Sequence, residues 1–113
     1  EGPYEYVSDK VDTRLKEGDV VFDLGANFGM FTSYAASRGC EVYAFEPMNS
    51  AVSEYLKYLD TYYNNVHIVN KAVSDKDGVA RLKVDKDSFF NVNLELFSYL
   101  ILFLIFIIFE IFI

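Results

Sequence analysis

The sequence predicts an α/β fold with a parallel sheet, and three observations support this prediction. Short apolar runs alternate with segments of helical periodicity, the connections between them are short, and glycine or proline stands where several elements end. Alternating strands and helices are typical of a parallel sheet with right-handed crossovers. A chain of 113 residues provides one domain at most.

Five segments carry this alternation, in the order strand, helix, strand, helix, strand: residues 19–24, 30–38, 41–46, a helix capped by Asn49 or Ser50, and residues 66–70. Gly39 is a typical stop for the first helix, and Pro47 ends the second strand because proline cannot donate to a sheet ladder. The second helix has five residues at the spacing of one buried face: Val52, Tyr55, Leu56, Leu59 and Tyr63. Short connections of this kind favour a partial Rossmann-like sheet.

The chain divides into two parts of different composition. Residues 1–93 have charges spread throughout and predict a partial globular domain. Within it, residues 75–78 predict a turn, and residues 79–84 alternate apolar and polar side chains as a half-exposed strand does, which predicts a short hairpin extension. Residues 94–113 are almost entirely Leu, Ile and Phe, and are predicted to form an apolar C-terminal segment.

A glycine-bearing turn, residues 25–29, follows the first strand. Ligands of open α/β sheets bind beyond the carboxyl ends of the strands, where the first strand turns into its helix. Gly25 and Gly29 let the backbone approach a ligand, and free amides at the start of the next helix favour an anionic group such as a carboxylate. Asp23 lies just before the turn and can accept a hydrogen bond from a ligand ammonium group.

A second carboxylate, Glu46, ends the second strand. It can accept both hydroxyls of an adenosine ribose because it has two acceptor oxygens and no donor. A dinucleotide fingerprint requires glycine at 25, 27 and 30, and the chain has only the first. The first motif of S-adenosylmethionine-dependent methyltransferases requires an acidic residue at 23 and glycine at 25, 27 and 29, and the chain has all but the glycine at 27. The pattern therefore favours S-adenosylmethionine as cofactor.

These stretches resemble the FkbM family of S-adenosylmethionine-dependent methyltransferases, which have the class I, Rossmann-like fold. The DxGAN-x-G turn at residues 23–29 and the A-F-E-P strand end at residues 44–47 are characteristic of that family, and residues 70–75 with Gly78 are similar to its third-strand exit. The resemblance covers roughly residues 7–84. It implies that residues 1–93 are a partial methyltransferase domain, whose full-length parent transfers a methyl group to oxygen on a small molecule or sugar.

The turn and the resemblance together give eight cofactor-binding residues: Asp23, Gly25, Ala26, Asn27, Gly29, Glu46, Ala72 and Val73. By the resemblance, the last two lie near the adenine. The family's later strands are not recognisable after about Asp87, so no catalytic residue is assigned and the chain is expected to be a truncated enzyme. Two alternatives stay open: an inactive, membrane-tethered or degenerate fragment, and a nicotinamide-dependent oxidoreductase.

The net charge limits the partners that are expected, and the cysteine content limits the expected cellular compartment. A net charge of −7 repels phosphate backbones, so no nucleic acid is expected as partner, and the methyl acceptor is an unassigned small molecule. Cys40 is the single cysteine, which predicts no internal disulfide and a cytoplasmic location. No Cys, Asp or Glu arrangement around the single histidine, His67, predicts a metal site.

The apolar segment gives an alternative location, membrane association through residues 96–113. Between Glu95 and Glu110 lie 14 uncharged residues, which as a helix span about 21 Å, short of the roughly 30 Å hydrocarbon core. Three interpretations stay open: a membrane anchor, a buried core segment, or sequence foreign to the ancestral enzyme, such as translated intron or frameshifted DNA. We favour the third, because Phe, Ile and Leu codons are rich in T.

Overall fold

The computed structural model describes residues 4–83 and 89–96. Its elements, in chain order, are strand β1 (Val20–Leu24), helix α1 (Met30–Ser37), strand β2 (Glu41–Phe45), the helical segments α2 (Asn49–Ala51) and α3 (Lys57–Tyr62) joined by a π-helical turn (Val52–Leu56), and strands β3 (Val66–Val69), β4 (Ala72–Ser74), β5 (Gly78–Lys83) and β6 (Phe89–Leu96). The predicted order of the first five elements is confirmed.

The first three strands form a parallel sheet in the order β1-β2-β3. Leu24 pairs with Phe45, and Phe45 pairs with Val69, so the last residues of the three strands lie side by side. This arrangement confirms the predicted α/β class with a parallel sheet. It also gathers the segments that follow β1, β2 and β3 at one edge of the sheet, where the candidate site is predicted.

Small side chains allow α1 to pack closely against this sheet. Ala35 and Ala36 are buried and contact Val42 of β2 and Val66 of β3. These strand residues share one face of the sheet with Ala44, which packs against Leu56 of the second helix. Because a fully buried aliphatic side chain contributes about 1.5–3 kcal/mol, these contacts fix both helices on the same face and so fix the turns that precede them.

The second helix buries most of its predicted face. Leu56 is fully buried, and Val52, Leu59 and Tyr63 pack against the two core clusters. The prediction for Tyr55 is wrong, because its side chain is 45% exposed and contacts the Phe28 ring instead, with 4.7 Å between ring centroids. The prediction assumed a regular 3.6-residue period, whereas Tyr55 lies within the π-helical turn and at the edge of the apolar stripe.

The remaining strands form a second sheet in the order β4-β6-β5. The predicted strand at residues 79–84 is present as β5, but the strands before and after the predicted turn at residues 75–78 do not pair with each other: β5 is antiparallel to β6, and β4 pairs in parallel with the other side of β6. β6 crosses the position at residue 94 where the apolar segment was predicted to begin, and its Val92 and Leu94 are buried. Residues 97–113, which hold the rest of the predicted apolar segment, lie outside the described residues.

Within residues 4–83 and 89–96, no helix is both long enough and apolar enough to cross a membrane.

Candidate functional site

The glycine turn between β1 and α1 folds back against the end of β2. The backbone amides of Gly25 and Ala26 both donate to the carbonyl oxygen of Phe45, at 2.8 and 2.9 Å. Positive φ angles at Gly25, Asn27 and Gly29 produce this tight path. Asparagine is among the few residues other than glycine that adopt this conformation readily. The predicted turn is therefore present.

The two glycines of the turn have different surroundings. A Cβ atom on Gly29 would lie 2.4 Å from Cδ1 of Leu59 and 2.9 Å from Cδ2 of Leu56, so this glycine permits close packing between the turn and the second helix. A Cβ atom on Gly25 would meet no atom within 4 Å. Close packing therefore explains why residue 29 is glycine, but not why residue 25 is, since the backbone at Gly25 borders open space.

The Glu46 carboxylate points toward the glycine turn and is only 6% exposed. Its Oε1 accepts a hydrogen bond from the Asn27 amide at 2.9 Å, and its Oε2 accepts one from the Met48 amide at 2.8 Å. The Glu46 carbonyl oxygen accepts a further hydrogen bond from Nδ2 of Asn70, which follows β3. A carboxylate oxygen has two lone pairs, so each oxygen retains one acceptor position. Glu46 therefore connects the ends of all three strands.

The Asp23 carboxylate is held by a residue that the sequence did not single out. Oδ2 of Asp23 accepts a hydrogen bond of 2.6 Å from the hydroxyl of Thr32, which is fully buried in the first turn of α1. This bond leaves Oδ1 of Asp23 without a hydrogen bond among the described residues. The first turn of α1 has no side-chain cap, and its first helical hydrogen bond runs from the Ser33 amide to Gly29. The sequence signal that could have identified it was a hydroxyl residue at the third position of the helix that follows the strand with Asp23.

Ala72 and Val73 lie in β4, in the second sheet, where they pair with Leu94 and Glu95 of β6. Residues 70–75 were predicted to resemble the third-strand exit of the family. Among them, Asn70 contacts Glu46 through a hydrogen bond to its carbonyl oxygen. The structure thus brings Asp23, the turn and Glu46 together at one edge, and places Ala72 and Val73 on a separate strand.

One pocket opens beside the end of β2, and another lies in the second sheet. The first, of about 280 Å³, directly follows Glu46 and is lined by Pro47, Met48, Asn49, Ser50 and Asn91. The other, of about 410 Å³, is lined by Lys71, Asp77, Gly78, Asn93, Leu94, Glu95 and Leu96. In the second pocket the Lys71 ammonium donates to Glu95 at 2.9 Å, and this hydrogen bond raises the pKa of Lys71.

His67 pairs with Glu41 and stacks on Tyr43, with 4.7 Å between the ring centroids. Among the residues that the structure describes, His, Cys, Asp and Glu side chains form no group of three that could hold a metal ion.

The parallel sheet and its glycine turn define a Rossmann-like α/β protein. The chain is similar to the 31-O-demethyl-FK506 methyltransferase FkbM of Streptomyces tacrolimicus, with 37% identity over 76 residues, which are 66% of this chain and 29% of that enzyme. The predicted resemblance to FkbM methyltransferases is confirmed, and the chain spans less than a third of this relative's length. It also matches a solved structure, described as an rRNA methylase from Clostridium thermocellum, with a TM-score of 0.45 and 27% identity over 51% of this chain and 34% of that one. No family model matches the chain.

Proposed function

We propose that this chain is the cofactor-binding part of an S-adenosylmethionine-dependent methyltransferase, whose full-length form methylates a hydroxyl oxygen of a small molecule or sugar. The observation that carries the proposal is the hydrogen bond from the Asn27 amide to Oε1 of Glu46, because it joins the two predicted motifs in one site. The printed name of the relative from Streptomyces tacrolimicus describes an O-methyl product, which supports oxygen as the acceptor atom.

The site offers a partner for each of three polar groups of the cofactor: its ammonium, its carboxylate and its ribose hydroxyls. Oδ1 of Asp23 is available to accept a hydrogen bond from the ammonium of the methionine moiety, and the amides at the start of α1 suit its carboxylate. The remaining lone pairs of Glu46 suit the two ribose hydroxyls. S-adenosylmethionine supplies an electrophilic methyl group on its sulfonium. The residues of this chain would hold the methionine and ribose ends of that molecule and so orient the sulfonium.

The two hydrogen bonds that fix its carboxylate suit Glu46 to bind a ribose. Its two backbone hydrogen bonds fix the carboxylate before the cofactor arrives, so little side-chain entropy is lost on binding. A hydrogen bond to a charged group contributes about 1.5–3 kcal/mol. A fixed, acceptor-only carboxylate therefore selects a ligand with two adjacent hydroxyl donors.

The position of the closely packed glycine disfavours the nicotinamide alternative. In a dinucleotide fingerprint, the third glycine permits close packing of helix and strand, and the spacing requires it at position 30. Here position 30 is Met30, which is 73% exposed, while the packed glycine is Gly29. The spacing of the turn therefore fits the methyltransferase motif better than the dinucleotide motif.

Calorimetric titration of the full chain with S-adenosylmethionine, S-adenosylhomocysteine and NAD tests the proposal. We expect the first two to bind and NAD to give no heat of binding. Binding of NAD alone would contradict the cofactor assignment. Binding of none of the three would favour the inactive fragment.

A further inference from the structure

We propose that Asn91 of β6 binds the edge of the adenine base, in the pocket that follows Glu46. This inference rests on the proposed function, since it requires that Glu46 holds the ribose. It assigns a nucleobase-recognition role to a residue outside the segment that resembles the FkbM family, roughly residues 7–84.

The position of the pocket follows from the carboxylate. The backbone amide of Met48 donates a hydrogen bond to Oε2 of Glu46, and Met48 also lines the pocket of about 280 Å³. In a nucleoside the base is attached to the ribose by one bond. A ribose held at Glu46 therefore places its base within reach of the pocket wall formed by Met48 and Asn91.

The composition of the pocket suits a flat base with a polar edge. Pro47 and Met48 provide apolar surface, while Asn49, Ser50 and Asn91 provide donors and acceptors. An asparagine carboxamide carries a donor and an acceptor side by side, which matches the N6 donor and a ring-nitrogen acceptor of adenine. Two such hydrogen bonds orient the base as well as bind it.

Asn91 is available for this contact. On β6, Val92 and Leu94 are buried, whereas Asn91 and Asn93 alternate with them and are exposed. Within the described residues, the carboxamide of Asn91 makes no hydrogen bond. Its register partner across the sheet is Arg81 of β5.

The register between β4 and β6 separates this pocket from Ala72 and Val73, the residues that the resemblance assigns to the adenine. Ala72 pairs with Leu94, and Val73 pairs with Glu95. At about 3.3 Å per residue, three or four positions along β6 put them roughly 10–13 Å from Asn91. A base at Asn91 and a base at β4 are therefore distinct positions, and each can be tested separately.

Calorimetry with two ligands distinguishes these positions: S-adenosylhomocysteine, and S-ribosylhomocysteine, which is the same molecule without the base. In the full chain we expect Asn91→Ala to weaken S-adenosylhomocysteine binding about five- to tenfold, as the loss of one or two hydrogen bonds requires. Binding of S-ribosylhomocysteine stays unchanged. Asn93→Ala, which changes the next exposed residue of β6, leaves both affinities unchanged.

Three results would overturn the inference. The first is wild-type affinity of Asn91→Ala for S-adenosylhomocysteine, and the second is an equal loss for both ligands, which indicates a change in the fold. The third is a selective loss of S-adenosylhomocysteine affinity in Val73→Ala but not in Asn91→Ala, which places the base at β4. If the wild-type chain itself fails to bind S-adenosylhomocysteine, the proposed function fails first, and the inference fails with it.

Discussion

Alternate residues of the glycine turn, Gly25, Asn27 and Gly29, have φ angles of 79°, 53° and 84°. Such angles strain most side chains, and asparagine tolerates them better than most other residues. Asn27 is the mismatch in the predicted methyltransferase motif, yet its backbone has the conformation that a glycine would have. Its amide also donates to Glu46. The residue that departs from the motif therefore preserves the shape of the turn.

The two glycines of the turn should respond differently to substitution. We expect Gly25→Ala to lower the free energy of unfolding by about 1–2 kcal/mol, since only left-handed backbone strain is added. Gly29→Ala adds the same strain and a contact of 2.4 Å with Leu59, and should cost more. Urea denaturation measures both values. Equal losses would show that packing at Gly29 does not matter.

The buried hydroxyl of Thr32 should stabilise the fold through Asp23. Thr32→Val keeps the shape of the side chain but leaves the Asp23 carboxylate without this hydrogen bond, at an expected cost of about 1.5–3 kcal/mol. Thr32→Ser, which retains the hydroxyl, is the matched control and should lose less. Chemical denaturation monitored by circular dichroism gives both values. The assignment is wrong if the valine variant is the more stable of the two.

Among the elements, β1, α1, β2 and β3 could be predicted because their signals are local. Each begins or ends at a glycine, a proline or a change of periodicity, and the bounds agree within one residue at either end. β6 was missed as an element. Its polar and apolar residues alternate from Asn91 to Leu96, but the apolar run that follows masked this pattern. β4 has three residues, too few for a periodic signal.

The second sheet should depend on the buried side of β6. Val92→Ala removes a side chain that is 6% exposed, and we expect it to lower the free energy of unfolding by roughly 2 kcal/mol and to speed amide exchange in β5, which pairs with β6. Asn93→Ala alters the neighbouring exposed position and should change stability by less than about 0.5 kcal/mol. Equal effects of the two substitutions would contradict the burial of Val92.

At the scale of the whole molecule, the sequence predicted the sheet and the meeting of Asp23, the turn and Glu46, because parallel strands place their carboxyl ends at one edge. The contacts that refine the site could not be predicted. Thr32 contacts Asp23 from the first turn of α1, and Asn91 of the distant strand β6 lines the pocket that follows Glu46; both placements depend on three-dimensional packing rather than on spacing. The predicted roles of Ala72 and Val73 stay predictions.

Cys40 provides a probe of folding for the whole molecule. Burial, with a smaller contribution from the Asp19 carboxylate, raises the pKa of the Cys40 thiol. Because the folded-state pKa lies above the unfolded value of about 8.5, the associated stability is present below about pH 8.5 and is lost as the pH rises through the folded pKa. We expect slow alkylation by iodoacetamide at about pH 8 in the folded chain and fast alkylation in urea. Equal rates would mean that the chain does not form this core.

The most direct test asks whether the Glu46 carboxylate binds ribose hydroxyls. Calorimetry compares the affinity of the full chain for S-adenosylhomocysteine and for its 2′-deoxy analogue. We expect the wild type to prefer the natural ligand by about tenfold or more, and Glu46→Gln to lose that preference together with affinity, because an amide replaces one acceptor oxygen. Glu54→Gln, at an exposed site in the second helix, should retain the preference. A Glu46→Gln variant that still favours the natural ligand to the wild-type degree would contradict the site.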